Sequence, residues 1–168
     1  MGCHNSSTAG PLAFIPEQLN LNVSSIDGGE WNQIRELAQK SILTSSNIPN
    51  RKILPYSEQD TVSSANSYLQ VHCGSCHNSK GGPGRGDFSF EYKPFYEYSN
   101  YCEIESLNLN NSAENSFLVD SQNPMDSALM KRLISTDPKF RMPKMSGPTN
   151  KQSHLDSVYD WLISQNCN

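Results

Sequence analysis

The chain has 168 residues, with 13 Lys and Arg against 17 Asp and Glu, a net charge of -4 at pH 7 and a pI near 5.5. That balance argues against a nucleic-acid partner, which needs clustered Lys and Arg, and the length suits one main core with appendages. Hydrophobic residues make up 35% of the chain and mean hydropathy is -0.62, so this sequence gains from burying a large apolar group beside its own side chains. No apolar run approaches the roughly 18 residues needed to span a bilayer.

In chain order, Met1-Gly2-Cys3 is followed by a polar stretch, His4-Asn5-Ser6-Ser7-Thr8-Ala9-Gly10. Gly-Cys before a flexible tether resembles the end of a bacterial lipoprotein signal. Cys3 is then a lipidated residue that holds the protein to a membrane by acyl chains; the bland alternative is a cysteine there by chance. Residues 1–26 read as a flexible tether able to dock on the domain. Residues 27–58 read as a helical extension and linker. Within them Trp31, Ile34, Leu37, Ala38 and Ile42 recur at helical spacing and predict a helix over 30–44, before Ile48-Pro49-Asn50 opens the linker.

The main domain is expected over 59–168. Val62, Ala65, Leu69 and Cys73 share one face of a helix predicted over 59–74, which delivers the chain into Cys73-Gly74-Ser75-Cys76-His77. Residues 80–86, Lys-Gly-Gly-Pro-Gly-Arg-Gly, turn too tightly for helix or central strand and suit close approach to a flat ligand. The aromatic segment 87–101 permits a short strand at Phe88-Ser89-Phe90-Glu91-Tyr92 or an irregular loop. Asp126-Ser127 is placed to cap a helix whose inner face is Leu129, Met130, Leu133 and Ile134 and which ends before Asp137-Pro138. After the loop at 141–145, a last helix over 150–165 packs through Leu155, Val158, Tyr159 and Leu162, with Trp161 beside them.

Five cysteines fall into separate uses: Cys3, the close pair Cys73 and Cys76, and the distant Cys102 and Cys167. In an oxidising compartment a bridge between the last two ties the C-terminus to a mid-chain loop; otherwise they are two thiols.

The chemistry concentrates in C-x-x-C-H. Two thiols at this spacing can add to the two vinyl groups of one porphyrin, and the next imidazole then lies over the iron, which is the pattern of covalent haem c attachment. A turn after His77 lets a backbone carbonyl accept the imidazole N–H and fix its tautomer, and Pro83 is the candidate for that carbonyl. The competing readings are a zinc site from Cys73, Cys76, His77 and His154, a redox dithiol, or an accidental match. Zinc lacks paired ligand spacing on its second side, and the dithiol lacks a preceding strand.

Electron transfer by one haem needs a sixth ligand. Met142, held extended by Pro143, is the first candidate; Met145, His154 or an open position are the alternatives, and core packing is the ordinary fate of a methionine. Arg85 and Arg141 are either propionate partners or surface charges. His72, one residue before Cys73, reads as structural.

From Ala65 to Cys167 the chain resembles bacterial periplasmic or surface c-type cytochrome domains of the mono-haem, class I-like kind. The resemblance rests on Tyr68-Leu69, Cys73-Gly74-Ser75-Cys76-His77-Asn78, Gly81-Gly82-Pro83-Gly84-Arg85, Asn100-Tyr101-Cys102, the segment from Pro124 to Ser127, Arg141-Met142-Pro143 and Trp161-Leu162-Ile163. It implies an all-α, cytochrome c-like fold around one covalent haem, His77 and Met142 as iron ligands, and a bridge between Cys102 and Cys167. It also implies an electron carrier rather than an enzyme, serving a periplasmic or surface dehydrogenase or another cytochrome; the net charge favours a basic or neutral partner. A haem peroxidase or sensor is the enzymatic alternative. Two departures stand out: Lys144 occupies a place where a second proline is common, and about 60 residues precede the haem helix.

Overall fold

The structure is a computed structural model that describes residues 16–24, 27–44, 60–74, 76–78, 88–90, 101–105, 117–144 and 150–167. Helix predominates. In chain order the elements are α1 (Pro16–Leu19), β1 (Asn22–Ser24), β2 (Glu30–Asn32), α2 (Gln33–Gln39), α3 (Thr61–Leu69), α4 (Ala128–Ile134) and α5 (Gln152–Ser164). Helix α3 widens into a π-type turn at Gln70–Gly74, and 3-10 turns lie at Tyr101–Glu103 and Pro124–Asp126.

The N-terminal part differs from its sequence reading. Strands β1 and β2 pair antiparallel, with Val23 opposite Trp31, and Gly28 turns between them at φ 79°, a left-handed conformation that costs glycine little. Glu30–Asn32 is therefore strand, and the helix predicted over 30–44 begins only at Gln33. Asn32 sets that boundary: its Oδ1 accepts the Arg35 backbone N–H at 3.2 Å as an N-cap, while its Nδ2 donates to Asn20 at 3.0 Å. At the other end Ser41 enters the left-handed region at φ 57°, and the N–H groups of Ile42 and Leu43 both return to the Leu37 carbonyl. Ile42 is thus outside the helix and 63% exposed. Residues 16–24, read within the tether, hold a helical turn and a strand, and α1 lies against both α2 and the Gln70–Gly74 turn.

The core forms where α3 packs on α5, with α4 against α5. Asp60 caps α3 by accepting the Ser63 N–H at 3.0 Å; α3 presents Ala65 and Leu69 inward, and Cys73 follows in the π-type turn, on the stripe the spacing predicts. Leu129, Met130 and Leu133 enter from α4, Val158, Trp161 and Leu162 from α5, and Phe90, Tyr101, Leu118 and Val119 from the connections. Two inner-face assignments change. Ile134 is 45% exposed at the end of α4, and Tyr159 is 37% exposed whereas Trp161 is 3% exposed. The 3.6-residue period does not make the second choice, since positions 159 and 161 flank the Val158 and Leu162 stripe at equal angles, and the packing partners bury Trp161 instead of Tyr159.

Polar bridges lock the helices. Tyr68 on α3 donates its hydroxyl to Asn150 Oδ1 at 3.0 Å, and Asn150 Nδ2 donates to the Leu133 carbonyl at 2.6 Å, satisfying an orphan group at the end of α4. Ser127, expected as a helix cap, instead closes the preceding loop by accepting the Asp120 N–H at 2.9 Å. Cys102 and Cys167 form a disulfide, and the Cys167 N–H donates to Ser121 Oγ at 2.7 Å. The chain end is thereby pinned beside Val119 in the core.

Replacing Leu162 by Ala is expected to cost about 2–5 kcal/mol in urea unfolding, because the fully enclosed site leaves a cavity. Tyr159→Ala, at an exposed site on the same helix, is expected to cost less than about 1 kcal/mol; similar losses for the two would overturn the inner face assigned to α5.

Candidate functional site

The widened turn at Gln70–Gly74 hands α3 over to the cysteine motif. The backbone N–H groups of Cys76 and His77 both donate to the Cys73 carbonyl, at 3.0 and 2.7 Å, which folds the two cysteines and the histidine into one tight turn. Asn78 covers the end of that helix by donating Nδ2 to the Gly74 carbonyl at 3.2 Å. On the far side, the Phe90 N–H donates to the His77 carbonyl at 2.8 Å. Residues 77 and 90 are therefore the tied ends of the glycine-rich segment. Its Pro83 and Arg85, and the later Met145, lie outside the described residues.

Cys73 is buried in the core and Cys76 half-buried, and neither is in a disulfide. Burial first, and the neighbouring Cys76 second, push the Cys73 thiol up to about 12, so it stays protonated at neutral pH. That is the reverse of a reactive dithiol, which needs an electropositive and accessible thiolate. The His77 ring stacks on Phe88 at 4.6 Å with the planes 16° apart, and Phe90 presents its edge at 6.3 Å. Phe90 stacks in turn on Tyr101 at 5.4 Å, and Tyr101 meets Trp161 at 6.1 Å. The motif's imidazole is thus continuous with the aromatic part of the core.

This donor set fits a covalently held haem: two unbridged thiols and an imidazole on one turn, beside apolar and aromatic walls. Cys73 and Cys76 would hold the porphyrin edge and His77 would stand at the iron. It fits zinc less well. His154 packs near Tyr68 and His72 on α5, and among the described residues no three His, Cys, Asp or Glu side chains gather around a common point.

Met142 sits half-buried on the loop after α4, a separate segment from the cysteine turn. Arg132 organises that loop. Its guanidinium lies 4.7 Å from the Phe140 ring centre and donates to the Phe140 carbonyl at 3.2 Å, while its own carbonyl accepts the Met142 N–H at 3.0 Å. Asp137 tightens the same turn, its carbonyl accepting from Phe140 and Arg141 and its carboxylate from the Lys139 N–H at 2.8 Å. Lys144 Nζ donates to the carbonyls of Pro138 and Lys139. Arg141 is half-buried within this loop. Sequence reasoning missed Arg132, because a basic residue in a helix's last turn signals only interaction with nearby carbonyls, not which loop it will hold.

No protein-family model, curated protein or solved structure matches the chain.

Two expectations follow from these contacts. Arg132→Ala removes both the charge-assisted hydrogen bond and the ring contact, with a loss of about 1.5–3 kcal/mol in urea unfolding and faster hydrogen exchange at the Met142 amide. His72 and His154 have pKa values lowered below the ordinary 6.5, His72 by burial and then by His154, His154 by burial and then by Lys151. The unfolded chain therefore binds more protons than the folded one as pH falls below about 6.5, so their stabilising contribution is whole above that pH and is lost as pH drops through the lowered folded values. The melting temperature should fall between about pH 7.5 and pH 5, and fall less in a His72→Gln/His154→Gln protein.

Proposed function

We propose that the protein is an electron carrier of the mono-haem c-type cytochrome kind, with an all-α cytochrome c-like domain over 59–168. One observation carries this reading: Cys73, Cys76 and His77 share a single turn, the thiols unbridged, and the imidazole lies against the aromatic edge of the core. Bound there, haem c supplies reversible one-electron chemistry at iron.

The chain's own residues do the rest. The Cys73 carbonyl and the Phe90 N–H fix the backbone on both sides of His77, which limits how far its ring can move. Arg132 holds the backbone of Met142, which would be the second protein ligand of the haem iron, on a stiffened loop. A thioether donates weakly to ferric iron and raises the potential relative to a second histidine, which suits a carrier that accepts electrons from a dehydrogenase. Pro83 is proposed for the carbonyl that orients the His77 ring, and Arg85 for a propionate.

Charge distribution refines the partner. The segment 131–151 holds Lys131, Arg132, Lys139, Arg141, Lys144 and Lys151 against Asp137 alone, although the whole chain is acidic. A redox partner approaching the Met142 loop therefore fits best with an acidic surface, not the basic or neutral one that net charge favours. The Cys102–Cys167 disulfide supports an oxidising location, periplasm or cell surface, with Cys3 as the proposed lipid anchor.

The test is an absorption spectrum, oxidised and reduced, with a pyridine haemochrome count, on protein made with haem-maturation machinery. Wild type should carry one c-type haem per chain and a methionine-to-iron charge-transfer band that is absent in Met142→Ala. Cys73→Ser/Cys76→Ser should hold no covalent haem. A high-spin wild type, or a band indifferent to Met142, would turn the reading towards a peroxidase or sensor; wild type without haem would sink it.

A further inference from the structure

Just before the cysteine motif, at the surface of the α3–α5 contact, two imidazoles distant in sequence meet. His72 projects from the turn that ends α3, and His154 from the first turn of α5; their ring centres are 6.5 Å apart. Both lean on Tyr68, at 4.6 and 4.9 Å, with their own planes 38° apart. Tyr68 is a firm base, being 6% exposed with its hydroxyl held by Asn150.

We propose that His72 and His154 form a binding site for a borderline divalent transition-metal ion such as Zn²⁺ or Cu²⁺, completed by water. Two imidazoles sharing one ion at a metal–nitrogen distance of about 2.0–2.1 Å hold their ring centres roughly 5 Å apart at a tetrahedral angle, and at most about 6.4 Å apart when they face each other across it. The observed spacing of 6.5 Å is wider than a shared ion allows, and because His72 is exposed its side chain is free to rotate and bring the rings the remaining ångström or so together. Lowered pKa values keep both rings neutral at pH 7, the form that offers a lone pair. An all-nitrogen protein set selects Zn²⁺, Cu²⁺ or Ni²⁺ over Ca²⁺ or Mg²⁺, which require oxygen.

A bound ion would clip the start of α5 to the end of α3, one residue from Cys73. Because neither imidazole pair nor ion site exists in the unfolded chain, occupancy stabilises the fold by mass action. This site is independent of the haem: it uses neither motif thiol nor His77.

The experiment is a zinc chloride titration of untagged, haem-loaded full-length protein by calorimetry and thermal unfolding. The same titration on Cys73→Ser/Cys76→Ser protein separates the result from haem loading. One zinc ion per chain is expected, with a raised melting temperature, and with affinity weakened at least about tenfold by His72→Gln or by His154→Gln. His4→Gln should leave it unchanged. His72 is exposed, so its variant remains folded and informative if the His154 variant does not. No saturable zinc binding below about millimolar concentration, or equal affinity in wild type and His72→Gln, would overturn the proposal.

Discussion

Everything distinctive in this molecule hangs on the packing of α3 against α5. Ala65 on one helix and Val158 and Leu162 on the other are completely enclosed, and Leu69 and Trp161 nearly so. Cys73 continues the α3 stripe by one more turn, so burying that stripe also places the first motif cysteine in the core. Its position therefore follows from hydrophobic packing together with the widened turn at Gln70–Gly74 that carries it. The same contact brings His154 over Tyr68 and His72.

Around that contact, polar groups decide where the connections go. Asn150 joins α3 to the end of α4, and Arg132 binds the following loop through its guanidinium and its carbonyl together. Ser121 meets both backbone groups of Cys167, next to the disulfide. Each bridge satisfies a backbone group that a helix end or a loop would otherwise leave without a partner, so a chain poor in apolar residues recovers definition through hydrogen bonds. In the described connections, Ser121, Asp137 and Asn150 act in this way as partners of backbone groups.

The N-terminal part obeys the same logic on a smaller scale. Asn32 both ends a strand and starts a helix, and Glu36 pairs with Lys40 one turn on at 2.9 Å, a surface contact of modest worth. Through α1 this part lies against the Gln70–Gly74 turn, so the extension touches the segment that delivers Cys73.

The sequence by itself determined the mostly helical character, the inward faces of α3 and α4 apart from Ile134, the place of the cysteine motif, and the residues able to bridge at Cys102 and Cys167. These are legible because periodicity and short-range spacing act within a few residues along the chain. The later start of the helix predicted over 30–44, at Gln33 instead of 30, was not legible, since pairing with β1 and the Asn32 cap compete with an apolar stripe that looks unbroken. Nor was the choice of Trp161 over Tyr159, which depends on where the neighbouring helices stand. The Arg132-held loop, the Asn150 bridge and the His72–Tyr68–His154 cluster join residues far apart in sequence, and only tertiary structure decides such meetings, because their energies exist only once the α3–α5 packing has brought the segments together.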